Sequence, residues 1–561
     1  MGSDTSLSSY AYTPLPGSTR PLRCCVPQSF TRRRIKKGLL LIFVLSAIAL
    51  PLLYYLTTER FWRPEGAYLL EHTVNPSAIA AGQQKLVLVL PVDKSSQNLC
   101  KVVASAIAVG YPPPVLVNWN NDFETDTKGI GPSQLGKITG YLNFLEWATS
   151  DFAPPEQRLN EEDLVFGIDA HDIWLQLPPS VLIQRYYSIN QRANKRIAEQ
   201  YGFFDKDLMQ QTIVVSSQKA CVAPRDEISD LHCGDVPGST LPDSVYGFFT
   251  DYNFWFSRSV YVRPKILNSG SFMGPAGDMR RYFQRVKERM EEFLDVVETS
   301  GRPQAKVLGG DQGIFAEIFG EQEVWRDTVK KEDFAEDSPN RETAIEKRQL
   351  LEYHVGLDYT QEISFQTCYN EWLGYFVPLK ASDQIYEESQ KAGVAPPRIQ
   401  TLPADILQAE PPLAKLANNE LRTKTWAEMA LYMDFWTTAV PIAVHYNTRR
   451  KGLKGRLQTW WDATWWFPFL RELLQARMQP SAARETLMIL EAADGPLEVI
   501  PYLPLDEPKP AMLFVRNTET GNWALTPAAD WDAICREADP RREAEKSWYD
   551  EVFRDGKGIL L

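Results

Sequence analysis

Leu164-Val165-Phe166-Gly167-Ile168-Asp169-Ala170-His171-Asp172-Ile173-Trp174 is an apolar run that delivers two carboxylates three residues apart. Its first five residues, Leu164 to Ile168, read as a buried strand. Asp169 and Asp172 then fall at the strand's end, where side chains leave the sheet and face solvent or ligand. Two carboxylates on one turn make a hard, oxygen-rich site suited to a divalent cation that carries phosphate. A single aspartate there would read as a cap for the helix that Pro178 and Pro179 introduce. Two of them, after a strand, point to metal.

Working outward, Lys85-Leu86-Val87-Leu88-Val89-Leu90-Pro91-Val92 is a continuous apolar run typical of a central parallel strand. A helix is expected from Gln97 to Gly110 and a second strand from Pro114 to Asn118. Strand, helix, strand with short connections indicates an α/β sheet, whose ligands gather at the C-terminal strand ends. Downstream, the pattern predicts a helix over 181–201, a strand over Thr212 to Ser216, and a long charged helix from Asp278 to Val297. Gly309-Gly310-Asp311-Gln312 opens another helix through Phe319. Residues 321–350 are highly charged and read as a solvated surface element. Residues 370–440 are interrupted by proline and read as an insertion or lid. Trp460, Trp461, Trp465 and Trp466 cluster in a C-terminal extension and read as core or interface.

Gly38 to Leu56 holds no charged residue, and as a helix its 19 residues reach about 28 Å, close to a bilayer's hydrocarbon thickness. A cleaved signal peptide fits poorly, because the polar stretch before it is long and no small-residue cleavage site follows. Arg32, Arg33, Arg34, Lys36 and Lys37 crowd the upstream flank, while Glu59, Arg60 and Arg63 nearly balance downstream. The positive-inside rule then makes this a type II protein with a cytosolic tail (1–37), a span (38–56), a stem (57–84) and a lumenal body. Cys24 and Cys25 in the tail suit palmitoylation or remain free thiols.

The tail holds seven basic residues and one acidic, a net of +6, so with −12 overall the remainder carries −18. Such an acidic body is a poor nucleic-acid binder. Five cysteines fall beyond the span: Cys100, Cys221, Cys233, Cys368 and Cys535. An oxidising compartment permits disulfides, and Cys221 with Cys233 would close a short loop. The odd count leaves one over. No spacing resembles a zinc site, and no Asn-x-Ser/Thr acceptor occurs apart from Asn75, which Pro76 follows.

The order of the motifs resembles the glycosyltransferase domain of lysyl hydroxylases, of the GT-A superfamily. Gly136-Lys137 and the following helix precede Asp169-x-x-Asp172; then come Ser216 to Cys221, Leu267-Asn268-Ser269-Gly270, Gly310-Asp311-Gln312 and Leu357 to Gln366. The resemblance covers about 85–369 and resumes within 441–561, at Val444-His445-Tyr446-Asn447-Thr448-Arg449-Arg450-Lys451. His445 and Lys451 stand six apart, as in that family and in its glycogenin relatives, and Asn447 matches the lysyl hydroxylase variant. Thr448 replaces the family's glycine, and Arg449, Arg450 and Lys454 add positive charge.

The resemblance implies a GT-A-like, Rossmann-type mixed sheet flanked by helices. It implies that Asp169, Asp172 and His445 hold Mn2+ or another divalent cation and that Lys451 meets the diphosphate. Lys137, Asn268, Ser269 and Gly270 would hold a nucleotide-sugar donor, UDP-linked by resemblance, with Asp311 and Gln312 addressing the transferred sugar. His171 is expected to point away from the metal, and His354 is a weaker candidate ligand. The expected enzyme is a Golgi hexosyltransferase, with the ER also suitable, acting on a hydroxyl of a glycan or protein. No His-x-Asp pair with a distant second His follows, so no iron-dependent hydroxylase module, and no collagen lysine, is implied. Two other readings remain open: a membrane-tethered binding or scaffold protein on this fold, and a metal-dependent hydrolase of sugar phosphates.

Overall fold

The computed structural model describes residue 46 and residues 72–121, 133–201, 209–221, 231–252, 259–300, 310–331, 346–347, 350–448, 453, 455–517 and 519–559. The chain divides into two compact units, Met1–Arg63 and Pro64–Leu561; the second is described below. The apolar stretch 38–56, apart from Ser46, lies outside the described residues. Among these, no helix is long and apolar enough to cross a membrane.

A ten-stranded mixed sheet flanked by helices organises the second unit. Its first strand, β1 (Gly82–Pro91), is followed by helix α1 (Gln97–Ala108), β2 (Val115–Val117), α2 (Gly136–Ala148) and β3 (Leu164–Ile168). β1 lies parallel to both β2 and β3. The apolar run explains this placement: Leu86 to Leu90 are fully buried, as a central strand with both faces covered requires. Ser96 caps α1, its hydroxyl accepting from the Leu99 amide at 3.1 Å.

Beyond β3 come β4 (Ile173–Leu175), α3 (Pro179–Tyr201), β5 (Ile213–Gln218), β6 (Ile266–Pro275), α4 (Ala276–Ser300) and α5 (Asp311–Lys331). β6 runs antiparallel to both β3 and β5, so the sheet is mixed rather than wholly parallel. α2, α4 and α5 bury their apolar stripes against it. Tyr141 meets Phe283 with centroids 5.0 Å apart, and Phe272 meets Phe315 at 4.8 Å.

α5 continues twelve residues past Phe319, into the segment whose charges suggest a solvated surface. Gln322, Glu323 and Arg326 are buried there. The charges satisfy one another: Arg326 Nη1 donates to Glu323 Oε1 at 3.0 Å and Arg326 Nε to Glu352 Oε2 at 2.8 Å. Composition alone hides such pairing.

The remaining strands are β7 (Val355–Asp358), β8 (Ser364–Gln366), β9 (Gly374–Pro378), β10 (Ala430–Asp434), β11 (Ala443–His445), β12 (Met488–Ala492), β13 (Gly495–Pro501), β14 (Met512–Arg516) and β15 (Trp523–Pro527). The main sheet runs β15-β14-β2-β1-β3-β6-β5-β7, with β13 also on β1 and β12 on β13. β4, β11 and β8 form a small second sheet; β9 and β10 form a third. Within 370–440, helices Ser382–Lys391 and Ala404–Gln408 accompany the β9–β10 pair.

Both ends of the described part of the second unit are tied into its body. Cys100 on α1 is disulfide-bonded to Cys535, and Cys221 to Cys233; Cys368 is buried outside both bridges. The tryptophan cluster is internal: Trp465 Nε1 donates to Gln176 O at 2.8 Å and Trp466 Nε1 to Leu175 O at 3.0 Å. Residues 72–80, expected within a stem, reach the body through His72 and Ile79, both buried, while most of the others are exposed. His72 is buried, with Nε2 2.8 Å from Glu362 Oε1.

Burial disfavours the Glu362 carboxylate's charge, but His72 and Arg185 outweigh it and bring its pKa down to about 2. The folded value lies below the unfolded one, so this group's stabilisation is present above the ordinary glutamate range and lost as pH falls through about 2. Urea unfolding at descending pH is expected to show this acid-side loss, and Glu362→Gln to flatten it.

Candidate active site

Three strand ends bring the chemistry together. β3 ends at Ile168, so Asp169 leaves the sheet, its amide held by Gly270 O at 2.9 Å. The chain turns within four residues into β4, placing Asp172 beside the small sheet. There β11 pairs antiparallel with β4, His445 opposite Ile173, and Tyr446 N donates to Asp172 O at 2.8 Å. A pairing across 272 residues of sequence thus delivers His445 to the aspartates.

His445 Nε2 lies 3.3 Å from Asp172 Oδ1 and 3.6 Å from Asp169 Oδ2. One ligand atom from each of the three residues lies within 4.8 Å of the others. Two carboxylates and an imidazole on one point form a group able to hold a divalent cation. His445 is almost wholly buried, and its Nδ1 has no hydrogen-bond partner among the described residues. Burial lowers the His445 pKa, but Asp172 and Asp169 outweigh it and raise it above the usual imidazole value. Burial raises Asp169, with Lys137 and His445 opposing; for Asp172 burial also pushes upward, but His445 prevails and its pKa falls.

Beside this group, Lys137 Nζ from α2 lies 2.5 Å from Asp169 Oδ1 and 2.9 Å from Asp311 Oδ2, and donates to Ser269 O at 3.1 Å. Burial works against its charge, but the two carboxylates win and hold its pKa well above the usual lysine value. Ser269 Oγ donates to Asp311 Oδ2 at 2.8 Å, and Asn268 Nδ2 to Gln312 Oε1 at 2.9 Å. Asp311 opens α5 directly after Gly310, whose φ of +77° suits glycine's freedom there.

Nine of the ten sequence-derived site residues, Lys137, Asp169, Asp172, Asn268, Ser269, Gly270, Asp311, Gln312 and His445, line one cavity of about 850 Å³. Lys451, with Arg449, Arg450 and Lys454, lies outside the described residues. Asn447 also lines the cavity and is tied to Gln366 Oε1 at 2.9 Å. His171 is exposed, its Nδ1 3.4 Å from Ser96 Oγ. His354 contacts Asp278 at 3.2 Å instead and is no part of the three-residue group.

Sequence reasoning missed Asp93 and Asn118 and gave Gln218, within the Ser216–Cys221 motif, no role; all three line the cavity. Each stands at or just past the C-terminal end of β1, β2 or β5, so the strand-end rule applied to every strand would have found them. Asn118 is buried with φ +72°, a left-handed conformation that asparagine tolerates. Its Nδ2 donates to Gly136 O at 2.6 Å, and its Oδ1 has no partner among the described residues.

Gly270 is required by proximity: a Cβ there would stand 2.4 Å from His445 Nδ1 and 2.8 Å from Asn268 Oδ1. His445 is held by β11 and cannot retreat cheaply. Gly270→Ala is therefore expected to displace the imidazole and weaken Mn2+ binding by about 10–100-fold, the usual cost of disturbing a ligand's support. Calorimetric titration with Mn2+ checks this, and circular dichroism checks that the fold persists.

No protein-family model matches the chain, and no curated protein matches it.

Proposed function

We propose that the protein is a membrane-anchored, type II glycosyltransferase of GT-A type, working in the lumen of the Golgi. It would move a sugar from a nucleotide-sugar donor, UDP-linked, to a hydroxyl acceptor. The observation that carries this reading is the order of groups along the cavity. The sheet runs β2, β1, β3, β6, β5, so the cavity passes in turn Asn118, Asp93, the metal-ligand group, the Asn268–Gly270 segment and Gln218. With strands about 4.8 Å apart, β2 to β6 spans roughly 14 Å, a fitting reach for a nucleoside, a diphosphate and a sugar in line. The cavity volume falls in the usual range for ligand sites.

Each group then has a task. Asn118 would stand at the base end and Asp93 beside the ribose hydroxyls. Asp169, Asp172 and His445 would hold Mn2+, which supplies neutralisation of the diphosphate charge when bound. Lys137 adds a fixed positive charge while tying Asp169 to Asp311. Asp311, Ser269, Asn268 and Gln312 offer donors and acceptors to the sugar hydroxyls. In the transfer the bond from the anomeric carbon to the phosphate oxygen breaks, and one to the acceptor oxygen forms. The nucleoside diphosphate departs with the bonding pair, and the acceptor's proton passes to the departing phosphate oxygen or to water.

The test is calorimetric titration of the full chain in nanodiscs with UDP, with and without Mn2+. Metal-dependent binding is the expected result. Silence from UDP, and then from GDP and CMP, would overturn the reading. Donor breakdown with no transferred product would convert it to a hydrolase.

A further inference from the structure

One wall of the cavity is held from outside it. Leu457 lines the cavity from the short helix Arg456–Thr459. Its carbonyl accepts from Lys101 Nζ on α1 at 3.0 Å. The next carbonyl, of Gln458, accepts from Arg554 Nη2 at 2.6 Å, and Arg554 Nη1 reaches Asp462 Oδ2 at 3.2 Å. Trp461, fully buried, donates through Nε1 to Val552 O at 2.7 Å. The last carbonyls of a helix find no partner within it, so a single turn takes its placement from such outside donors.

Both donors converge on one carboxylate. Glu551 is buried on the short helix Trp548–Val552. It pairs with Lys101 through Oε1, with Lys546 through Oε2, and with Arg554 Nη2 at 3.2 Å. Burial opposes the Glu551 charge, but Lys101 and Lys546 outweigh it and lower its pKa. Burial also opposes the Lys101 charge and brings its pKa down to about 8; Glu551 holds it up, while Arg554 and Lys546 push it further down. An ammonium donates roughly twice as strongly as a neutral amine. The grip on the Leu457 carbonyl therefore depends on the Glu551 charge.

The base of this arrangement is fixed. Cys100, next to Lys101, is bonded to Cys535, and Gln97 Nε2 donates to Lys546 O at 2.6 Å. The metal-ligand group is held separately, His445 by β4 and β8 and the Asp169 amide by Gly270 O. A shift at Leu457 would thus reach the donor without moving the cation. Ligand sites need their walls held to within about 0.5 Å.

We propose that Glu551 is a positioning residue for the donor cavity: through Lys101 and Arg554 it fixes the backbone at Leu457 and Gln458 and so sets one wall of the nucleotide-sugar site. This rests on the transferase reading, and deepens it by placing control of the donor wall outside the cavity. The test is calorimetry on the full chain in nanodiscs, with Mn2+ alone and with UDP in its presence. Glu551→Gln keeps the side chain's shape and removes its charge. It is expected to weaken UDP binding about tenfold, the scale of one charge-assisted hydrogen bond, and to leave Mn2+ affinity unchanged. In a Leu457→Ala background the same change is expected to cost less than about twofold, because the wall it positions is already gone. Arg554→Ala, at a partly exposed side chain, is expected to show the same split, and decides the matter by itself if Glu551→Gln does not fold.

UDP affinity equal to the parent's in both variants overturns the proposal. So does an equal loss of UDP and Mn2+, which would make Glu551 a general support of the fold, or full additivity with Leu457→Ala. A parent that binds Mn2+ but no UDP fails the transferase reading itself, and the positioning role falls with it; a parent that binds UDP leaves only the positioning role at stake.

Discussion

Asp169→Ala and Asp172→Ala are each expected to remove metal-dependent UDP binding and to lower transfer by roughly 10²–10³-fold, the scale on which lost charge stabilisation is felt in a reaction site. The two variants should differ in what they leave behind. Asp172 interacts with His445 at 3.3 Å but has no contact with Lys137, so its loss removes one ligand and leaves the Lys137–Asp169–Asp311 bridge standing. Asp169 touches both His445 and Lys137, so its loss also frees the Lys137 ammonium to rest on Asp311 alone. Asp169→Ala should therefore retain weak, metal-independent attraction for the diphosphate that Asp172→Ala lacks. Neither side chain is fully buried, at 26% and 28% exposed, so the fold should survive both changes. Calorimetry with UDP, with and without Mn2+, reads each effect. Unaltered metal-dependent binding in both variants would sink the assignment of the cation to this group.

What the sequence made legible follows physical lines. β3, β1 and α4 carry their own signatures, two uninterrupted apolar runs and one amphipathic helix, so local pattern and final burial agree. The Asp169–Asp172 pair was legible because a strand end fixes where side chains go. His445 could be placed beside it only by motif resemblance, since the β11–β4 pairing joins residues 272 apart and leaves no periodic trace. The Cys100–Cys535 bridge was hidden for the same reason. Asp93 and Asn118 escaped because a lone acid or amide after a strand is ordinary; only a cavity singles them out. Within 321–350, the stretch to Lys331 is a helix that buries Gln322, Glu323 and Arg326, because a charged helix whose ions pair inward has the composition of a solvated one, while Glu346 and Lys347 are exposed as expected.

The region between β8 and β11 is keyed into the body by one buried arginine, and its removal carries the largest expected stability effect. Arg185 on α3 is fully buried and donates through Nε to Asp405 Oδ2 at 2.6 Å. Its Nη1 donates to Glu362 O at 2.8 Å and to Val440 O at 2.7 Å. Burial opposes its charge, but Asp405 and Glu362 outweigh that and raise its pKa further. Arg185→Ala would strand the fully buried Asp405 carboxylate and two carbonyls, at a cost of about 3–5 kcal/mol, a large part of the 5–15 kcal/mol that holds a typical domain together. Arg185→Met with Asp405→Leu removes both charges, and should recover much of that loss because no lone ion remains inside. The single variant should also weaken Mn2+ binding, because Val440 stands three residues before β11, the strand that carries His445. Urea unfolding and Mn2+ titration on the single and double variants separate these effects. A single variant as stable as the parent would show that the carboxylate finds water, and that 370–440 is held by its other contacts.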